Sequence, residues 1–180
     1  PEQVERWLCD LKGRRDGKGR LVCNHKQYAM VCQIGYRVMQ EMEAEAKEDI
    51  DFGEPLRWCL HGGPGTGKSH VFKLVKKELF EDILLWDMGV QFQIVALQAV
   101  MAKLLGGDTI HHACGIPAFR KAECHEDDLQ RHFEVANRVL QWRWLFIDEI
   151  SMVSATLLAE MDVKQRKVVR TIGIAKENQQ

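Results

Sequence analysis

The sequence predicts an α/β fold in which helices cover both faces of a mostly parallel sheet. Short apolar runs that are typical of strands alternate with segments whose apolar residues recur at helical spacing. A glycine-rich stretch, residues 62–69, lies between one such run and a helical pattern. The 180 residues, 46% of them hydrophobic, are enough for one domain with a sizeable core.

The first 23 residues are predicted to form a helix and a basic loop ahead of the main domain. Four apolar residues at helical spacing predict the helix: Val4, Trp7, Leu8 and Leu11. Residues 12–20 are rich in glycine and cations, which is typical of a solvated loop. Asn24 is a favourable N-cap for a long helix that ends in the acidic run at residues 41–51.

The main domain is predicted to span residues 24–163. Residues 56–60 predict a first strand, which would place Trp58 in the core, and a helix follows from Lys68. Residues 92–95 predict a second strand, and the helix after it stops at the glycine pair 106–107.

A further helix and strand complete this domain. The helix is predicted by Leu129, Phe133, Ala136 and Leu140. Residues 144–147 then predict a buried strand, with Trp144 in the core. Residues 164–180 are basic and then polar, and we expect them to form a tail.

Composition excludes some classes of function. The formal net charge of −1 gives no electrostatic argument for nucleic-acid binding, which would have to come from local geometry. No apolar run reaches the ~20 residues that a membrane-spanning helix needs, so we expect no membrane partner. The six cysteines contain no C-x-x-C pair, and we interpret them as reduced thiols of an intracellular protein.

Residues 62–69 fit the phosphate-loop pattern G-x-x-x-x-G-K-[ST]. They are Gly62, Gly63, Pro64, Gly65, Thr66, Gly67, Lys68 and Ser69. Glycines allow successive N–H groups to converge on phosphate oxygens. Lys68 supplies a cation for the β- and γ-phosphates, and the Ser69 hydroxyl is a predicted ligand of Mg²⁺. The pattern therefore predicts ATP binding with Mg²⁺.

Asp148 and Glu149 follow directly after the predicted strand at residues 144–147. Ligands of open parallel sheets collect at the carboxyl ends of the strands, so a carboxylate there is well placed for chemistry. Asp148 is the predicted second holder of Mg²⁺, and Glu149 the predicted general base for the attacking water. With Lys68, these residues predict ATP hydrolysis.

Three stretches resemble motifs of the PIF-type (petite integration frequency) superfamily-one DNA helicases. Residues 148–152 resemble their Asp-Glu-Ile-Ser-Met signature, and residues 107–111 resemble their Gly-x-Thr-Ile-His motif. Residues 24–27, Asn-His-Lys-Gln, resemble their adenine-reading Gln motif. The resemblance covers most of residues 24–162, and Helitron-type mobile-element helicases are similar too.

The resemblance implies a RecA-like motor lobe that uses ATP and Mg²⁺ to unwind DNA in the 5′ to 3′ direction. Its partners would be single-stranded DNA and duplex junctions, and roles in repair, recombination or telomere maintenance would be inferred from the family alone. Gln27 would read adenine, and Thr109 and His111 would lie near the single-stranded DNA. In a eukaryote, the family implies a nuclear or mitochondrial location.

The chain departs from this family in two places. The usual Pro-Thr-Gly after the second strand is replaced by Leu97-Gln98-Ala99, which leaves Gln98 as the candidate contact to a DNA phosphate. Nothing in residues 163–180 matches the Gly-Asp-x-x-Gln sensor motif or the arginine-bearing second lobe that follows it. We therefore expect a first lobe that is incomplete at its C-terminal side and that unwinds nothing alone.

Two other interpretations stay open. The phosphate loop also suits an AAA-type ATPase, such as a helicase loader or a transposition helper, although that class lacks the Thr-Ile-His element. A non-catalytic nucleotide-binding remnant is the alternative outside enzymes. Intact Lys68, Ser69, Asp148 and Glu149 speak against decay of the site.

Overall fold

The computed structural model describes residues 1–48, 54–63, 65–117 and 126–177. The chain divides into two compact units, Pro1–Leu85 and Trp86–Gln180. Helices form the first unit, and the second contains a three-stranded parallel sheet. This mixture confirms the predicted α/β class, as a partial RecA-like phosphate-loop fold. No helix within the described ranges is both long and apolar enough to cross a lipid bilayer.

The described residues of the first unit form three α-helices: α1 (Glu2–Leu11), α2 (His25–Ala46) and α3 (Lys68–Leu74). A π-helical segment, Val75–Ile83, continues α3. The predicted stripe of α1 is confirmed, because all four of its apolar residues are buried. Asn24 caps α2 as predicted, since its side chain accepts a hydrogen bond from the Gln27 N–H.

Two side chains fix how the helices of this unit pack. Gly35 of α2 lets Leu8 of α1 approach closely, because a Cβ at position 35 would lie 2.9 Å from Leu8 Cδ1. Glu78, in the π-helical segment, accepts hydrogen bonds from Trp7 Nε1 at 2.7 Å and from Arg14 Nη2 at 2.6 Å. Glu78 therefore joins α1 and the loop after it to the π-helical segment.

The predicted strand at residues 56–60 is wrong. The described residues 54–60 contain no strand, and Trp58, which was expected in the core, is 47% exposed. The other elements that the structure describes in this unit are helices, so among the described residues this segment has no neighbouring strand of the same unit with which to share ladder hydrogen bonds. The apolar run at residues 56–60 therefore forms no strand.

The second unit contains strands β1 (Phe92–Ala96), β2 (Asp108–Thr109) and β3 (Trp144–Asp148). Their order is β2-β1-β3, and both pairings are parallel. The helices of this unit are α4 (Ala99–Leu104), α5 (Ile110–Ala113), α6 (Glu126–Gln141) and α7 (Ala155–Glu177). The predicted strands at residues 92–95 and 144–147, and the helices that flank them, are confirmed.

Burial differs between the central strand and β3. All five residues of β1 are buried, as expected for a strand with neighbours on both sides. In β3 only Asp148 is buried, and Trp144 is half-buried rather than in the core. Among the described strands, β3 pairs on one side only, which leaves its first four residues partly open.

The predicted tail at residues 164–180 is a helix over much of its length. It belongs to α7, which runs without a break from Ala155 to Glu177. Leu157 and Met161 are buried one turn apart and hold the start of α7 in the core of the second unit. The predicted boundary at residue 163 thus falls inside a helix, and the division into residues 1–23, 24–163 and 164–180 stays a prediction.

We predict that Glu78→Ala lowers the free energy of unfolding by about 1.5–3 kcal/mol, because the Arg14 guanidinium and the Trp7 N–H lose a charged partner. Asp82→Ala is the control, since its pair with Lys77 is exposed on both sides and is expected to contribute less than about 1 kcal/mol. Urea unfolding of both variants measures the difference. Equal unfolding midpoints for the two variants would contradict the role given to Glu78.

Candidate active site

The phosphate loop closes around the ammonium group of its own lysine. Lys68 Nζ donates hydrogen bonds to the carbonyl oxygens of Gly62 at 2.7 Å and Gly63 at 3.1 Å. The Thr66 hydroxyl donates to the same Gly63 oxygen at 2.8 Å. Pro64 lies outside the described residues. The Lys68 ammonium and the Thr66 hydroxyl thus both donate hydrogen bonds to carbonyl oxygens at the start of the loop.

Two glycines give the loop its backbone conformation. Gly65 has a φ of +73° and Gly67 a φ of +83°, a region that side-chain-bearing residues rarely adopt. A Cβ at Gly67 would also lie 2.4 Å from Gln27 Nε2. Helix α3 begins directly afterwards, so the predicted order of loop and helix is confirmed, although the strand before the loop is absent from the described residues.

These residues fit a nucleotide polyphosphate. Turns that contain left-handed residues expose successive N–H groups, which form concave anion-binding sites. The ammonium of Lys68 is half-buried beside them, and its present partners are carbonyl oxygens that phosphate oxygens can replace. Ser69, the next residue, is exposed, and its hydroxyl oxygen is a ligand type that Mg²⁺ accepts.

Gln27 lies against the phosphate loop. Its Oε1 accepts a hydrogen bond from the Asn24 N–H at 2.9 Å, and its Nε2 donates to the carbonyl of Thr66 at 3.1 Å. The sequence suggested an adenine reader at this position. The structure brings Gln27 to the loop through Thr66, and adenine recognition stays a prediction.

The carboxyl ends of the three strands form the second group of candidate residues. Ala96 is in register with both Thr109 and Asp148, so all three residues lie at the same edge of the sheet. Neighbouring strands are about 4.8 Å apart, which separates Thr109 and Asp148 by roughly 10 Å. Gln98 follows at the N-terminus of α4, where its side chain is exposed and makes no cap hydrogen bond.

Asp148 and Glu149 have contrasting environments. Asp148 is 7% exposed, whereas Glu149 is open to solvent. Glu149 also has left-handed backbone angles, with φ +49° and ψ +48°. For a residue with a side chain this conformation costs about 1–2 kcal/mol, and such outliers cluster at active sites. This residue separates the buried carboxylate at the end of β3 from a short 3-10 helix, Ile150–Met152.

The segment 107–112 is held by its own side chains. Asp108 accepts hydrogen bonds from the Thr109 N–H at 2.7 Å, through Oδ1, and from His112 Nδ1, through Oδ2. The Thr109 hydroxyl accepts from the His112 N–H and caps α5. His111 is half-buried and lines a groove of about 790 Å³ in the second unit.

The family comparison covers both groups of residues. A model described as PIF1-like helicase matches residues 44–178, well over half of the chain. The chain belongs to the PIF1-like helicase family. No curated protein and no solved structure matches it. The matched segment contains the phosphate loop, residues 107–111 and the Asp148-Glu149 pair, whereas Gln27 precedes it.

Sequence reasoning missed three contacts of this PIF1-like chain. The Asp108–His112 pair has a sequence signal, because residues four apart share a helical face. Arg138 of α6 donates to the carbonyls of His112 at 3.1 Å and Ala113 at 2.9 Å. Lys164 of α7 donates to the carbonyl of Gly115. The last two contacts join residues far apart in sequence, so no local pattern indicates them.

We predict that Gly107→Ala destabilises the second unit by about 1–3 kcal/mol, because its Cβ would lie 2.3 Å from the backbone oxygen of Ile94, in the central strand. Gly13→Ala is the matched control, since no atom lies within 4 Å of the added methyl group. Thermal unfolding followed by circular dichroism compares the two. If Gly107→Ala has the same melting temperature as the wild type, the close approach of residue 107 to β1 does not require a glycine.

Proposed function

We propose that this chain carries the ATP-hydrolysing site of a DNA helicase that moves 5′ to 3′ along single-stranded DNA. The observation that carries the proposal is the PIF1-like helicase match over residues 44–178, which includes every catalytic residue named here. The direction of movement comes from the family resemblance and not from the geometry of the chain.

In this proposal the phosphate loop binds the triphosphate of ATP. Backbone N–H groups around Gly65 and Gly67 receive phosphate oxygens, and Lys68 exchanges its two carbonyl partners for the β- and γ-phosphates. Ser69 and Asp148 are the residues that would hold Mg²⁺, whose oxygen-ligand preference suits a hydroxyl and a carboxylate. When bound, the metal neutralises charge that develops on the transferred phosphoryl group.

Glu149 is the proposed general base for the water that attacks the γ-phosphate. Its carboxylate is exposed at the end of β3, so a water molecule can reach it. The buried position of Asp148 suits a fixed ligand, whereas the exposed position of Glu149 suits proton transfer. The two neighbouring carboxylates therefore receive different roles.

Single-stranded DNA is the proposed partner of the sheet edge. Gln98 and Thr109 lie at the carboxyl ends of adjacent strands, and His111 follows at the start of α5. Amide, hydroxyl and imidazole groups all make phosphate and sugar contacts that carry no sequence preference. Because Thr109 already caps α5, a DNA contact there would use the remaining capacity of its hydroxyl.

The rival interpretations make different predictions. An AAA-type ATPase is disfavoured by the PIF1-like match. A non-catalytic remnant would bind nucleotide without turnover. Unwinding of duplex DNA is proposed only together with an arginine-bearing second lobe, since arginine fingers contribute factors of about 10³–10⁵ in rate where they act.

We predict that Glu149→Gln lowers ATP turnover by about 10²–10⁴-fold but leaves ATP affinity within a few-fold, because only the base is lost. Lys68→Ala should lower both ATP turnover and ATP affinity, because the lysine binds the phosphates. Steady-state phosphate release and binding of a fluorescent ATP analogue measure the two quantities in the presence of single-stranded DNA. Glu134→Gln, an exposed carboxylate on α6, is the control. ATP binding without turnover above background in wild type, Glu149→Gln and Glu134→Gln would favour the remnant, and equal turnover in all three would contradict the role of Glu149.

A further inference from the structure

We infer that Gln27 is a positioning residue of the phosphate loop, acting on the loop backbone whatever base the nucleotide carries. The inference rests on the proposed function, since it concerns how the same loop binds phosphates. It assigns Gln27 a task separate from adenine recognition. The contact that motivates it is the hydrogen bond from Gln27 Nε2 to the Thr66 carbonyl, at 3.1 Å.

The orientation of the Gln27 amide is determined by its partners. The Asn24 N–H can only donate, so the atom that faces it at 2.9 Å must be the amide oxygen. The Thr66 carbonyl can only accept, so the atom that faces it must be the amide nitrogen. Both contacts require the same orientation, and a flipped amide would lose both.

The helix start holds this amide in place. Gln27 is the third residue of α2, and Asn24 accepts its backbone N–H at 3.0 Å while donating to its side chain. This reciprocal capping box fixes the glutamine side chain at the beginning of a 22-residue helix. Its Nε2 is therefore presented to the loop from a rigid element and not from a freely rotating side chain.

A bond to the Thr66 carbonyl also sets the direction of the next N–H group. The Thr66 C=O and the Gly67 N–H belong to one planar trans peptide, in which they point in opposite directions. When Gln27 holds the carbonyl on its side, the Gly67 N–H points away from Gln27. That N–H is one of the donors proposed to bind phosphate, so its direction affects binding of every polyphosphate ligand.

Two further observations connect the region around the start of α2 with the phosphate loop and α3. His70, on the first turn of α3, contacts the carbonyl of Val22 through Nε2 at 2.8 Å. The start of α2 thus contacts the loop at Thr66, and the segment before α2 contacts His70. Gly67 leaves space for Gln27, because any Cβ there would lie 2.4 Å from the amide nitrogen. A side chain in place of the glycine before Lys68 would therefore displace the Gln27 amide, in addition to the strain that its positive φ imposes.

The test uses two substitutions of Gln27 that both remove the hydrogen-bond donor to the Thr66 carbonyl and otherwise differ. Gln27→Glu keeps an acceptor for the Asn24 N–H, because glutamate also completes a capping box, but it removes the donor to Thr66. Gln27→Ala removes both and adds no charge. Gln33→Glu and Gln33→Ala, at an exposed position on the same helix, are the matched controls. Circular dichroism checks that each variant folds.

Binding is measured by displacing a fluorescent ATP analogue with ATP, GTP and inorganic tripolyphosphate, each with Mg²⁺. We expect both Gln27 variants to bind all three ligands about fivefold to tenfold more weakly, the effect of one hydrogen bond. The Gln33 variants should stay within about twofold of the wild type. This result would support the positioning role, because tripolyphosphate has no base.

Three results would overturn the inference. Weaker binding of ATP alone would leave Gln27 as a reader of adenine. Weaker binding only in Gln27→Glu would indicate charge repulsion, and weaker binding only in Gln27→Ala would indicate loss of the helix cap. In all three cases nucleotide binding by the wild type would still stand. If the wild type bound none of the three ligands, the proposed function itself would fail, and the inference with it.

Discussion

Satisfying backbone carbonyl groups outside regular structure is the constraint on which the candidate site depends. Gly62, Gly63 and Thr66 lie in no helix or strand, and their carbonyl oxygens receive hydrogen bonds from side chains. The donors are an ammonium, a hydroxyl and an amide. Of these three bonds, the one to Thr66 comes from outside the loop, from Gln27 of α2. Gly65 and Gly67 supply the left-handed backbone conformations that lead into α3.

In the strands of the second unit, backbone N–H and C=O groups are hydrogen-bonded to neighbouring parallel strands instead. Because β1 pairs on both sides, its last residue is aligned with Thr109 and with Asp148, and the chain leaves all three strands at one edge. Close packing maintains the alignment: Gly107 approaches the backbone of Ile94, and Arg138 holds the end of α5. The buried carboxylate and the candidate DNA contacts thus share one scaffold.

The sequence predicted well where the signal was local. The periodicity of α1, the Asn24 cap and the two strands around residues 92–95 and 144–147 depend on near neighbours, and all were confirmed. The strand predicted at residues 56–60 was wrong because a strand needs a hydrogen-bonding partner, and the sequence of the segment itself does not show whether one is present. The helical continuation through residues 164–177 was missed because the buried residues that anchor α7, Leu157 and Met161, precede it, and its own sequence is basic and then polar. The contact of Gln27 with Thr66 spans 39 residues, and no pattern indicates it.

The most direct test of the account is the Mg²⁺ dependence of ATP affinity in the wild type and in Asp148→Asn. The central claim is that Asp148 holds the metal of a nucleotide whose phosphates bind the loop around Lys68. We predict that Mg²⁺ tightens ATP binding by the wild type and has little effect on the variant, while both bind metal-free ATP equally. An unchanged Mg²⁺ effect in Asp148→Asn would contradict the claim, because the buried carboxylate would then have no part in binding the metal.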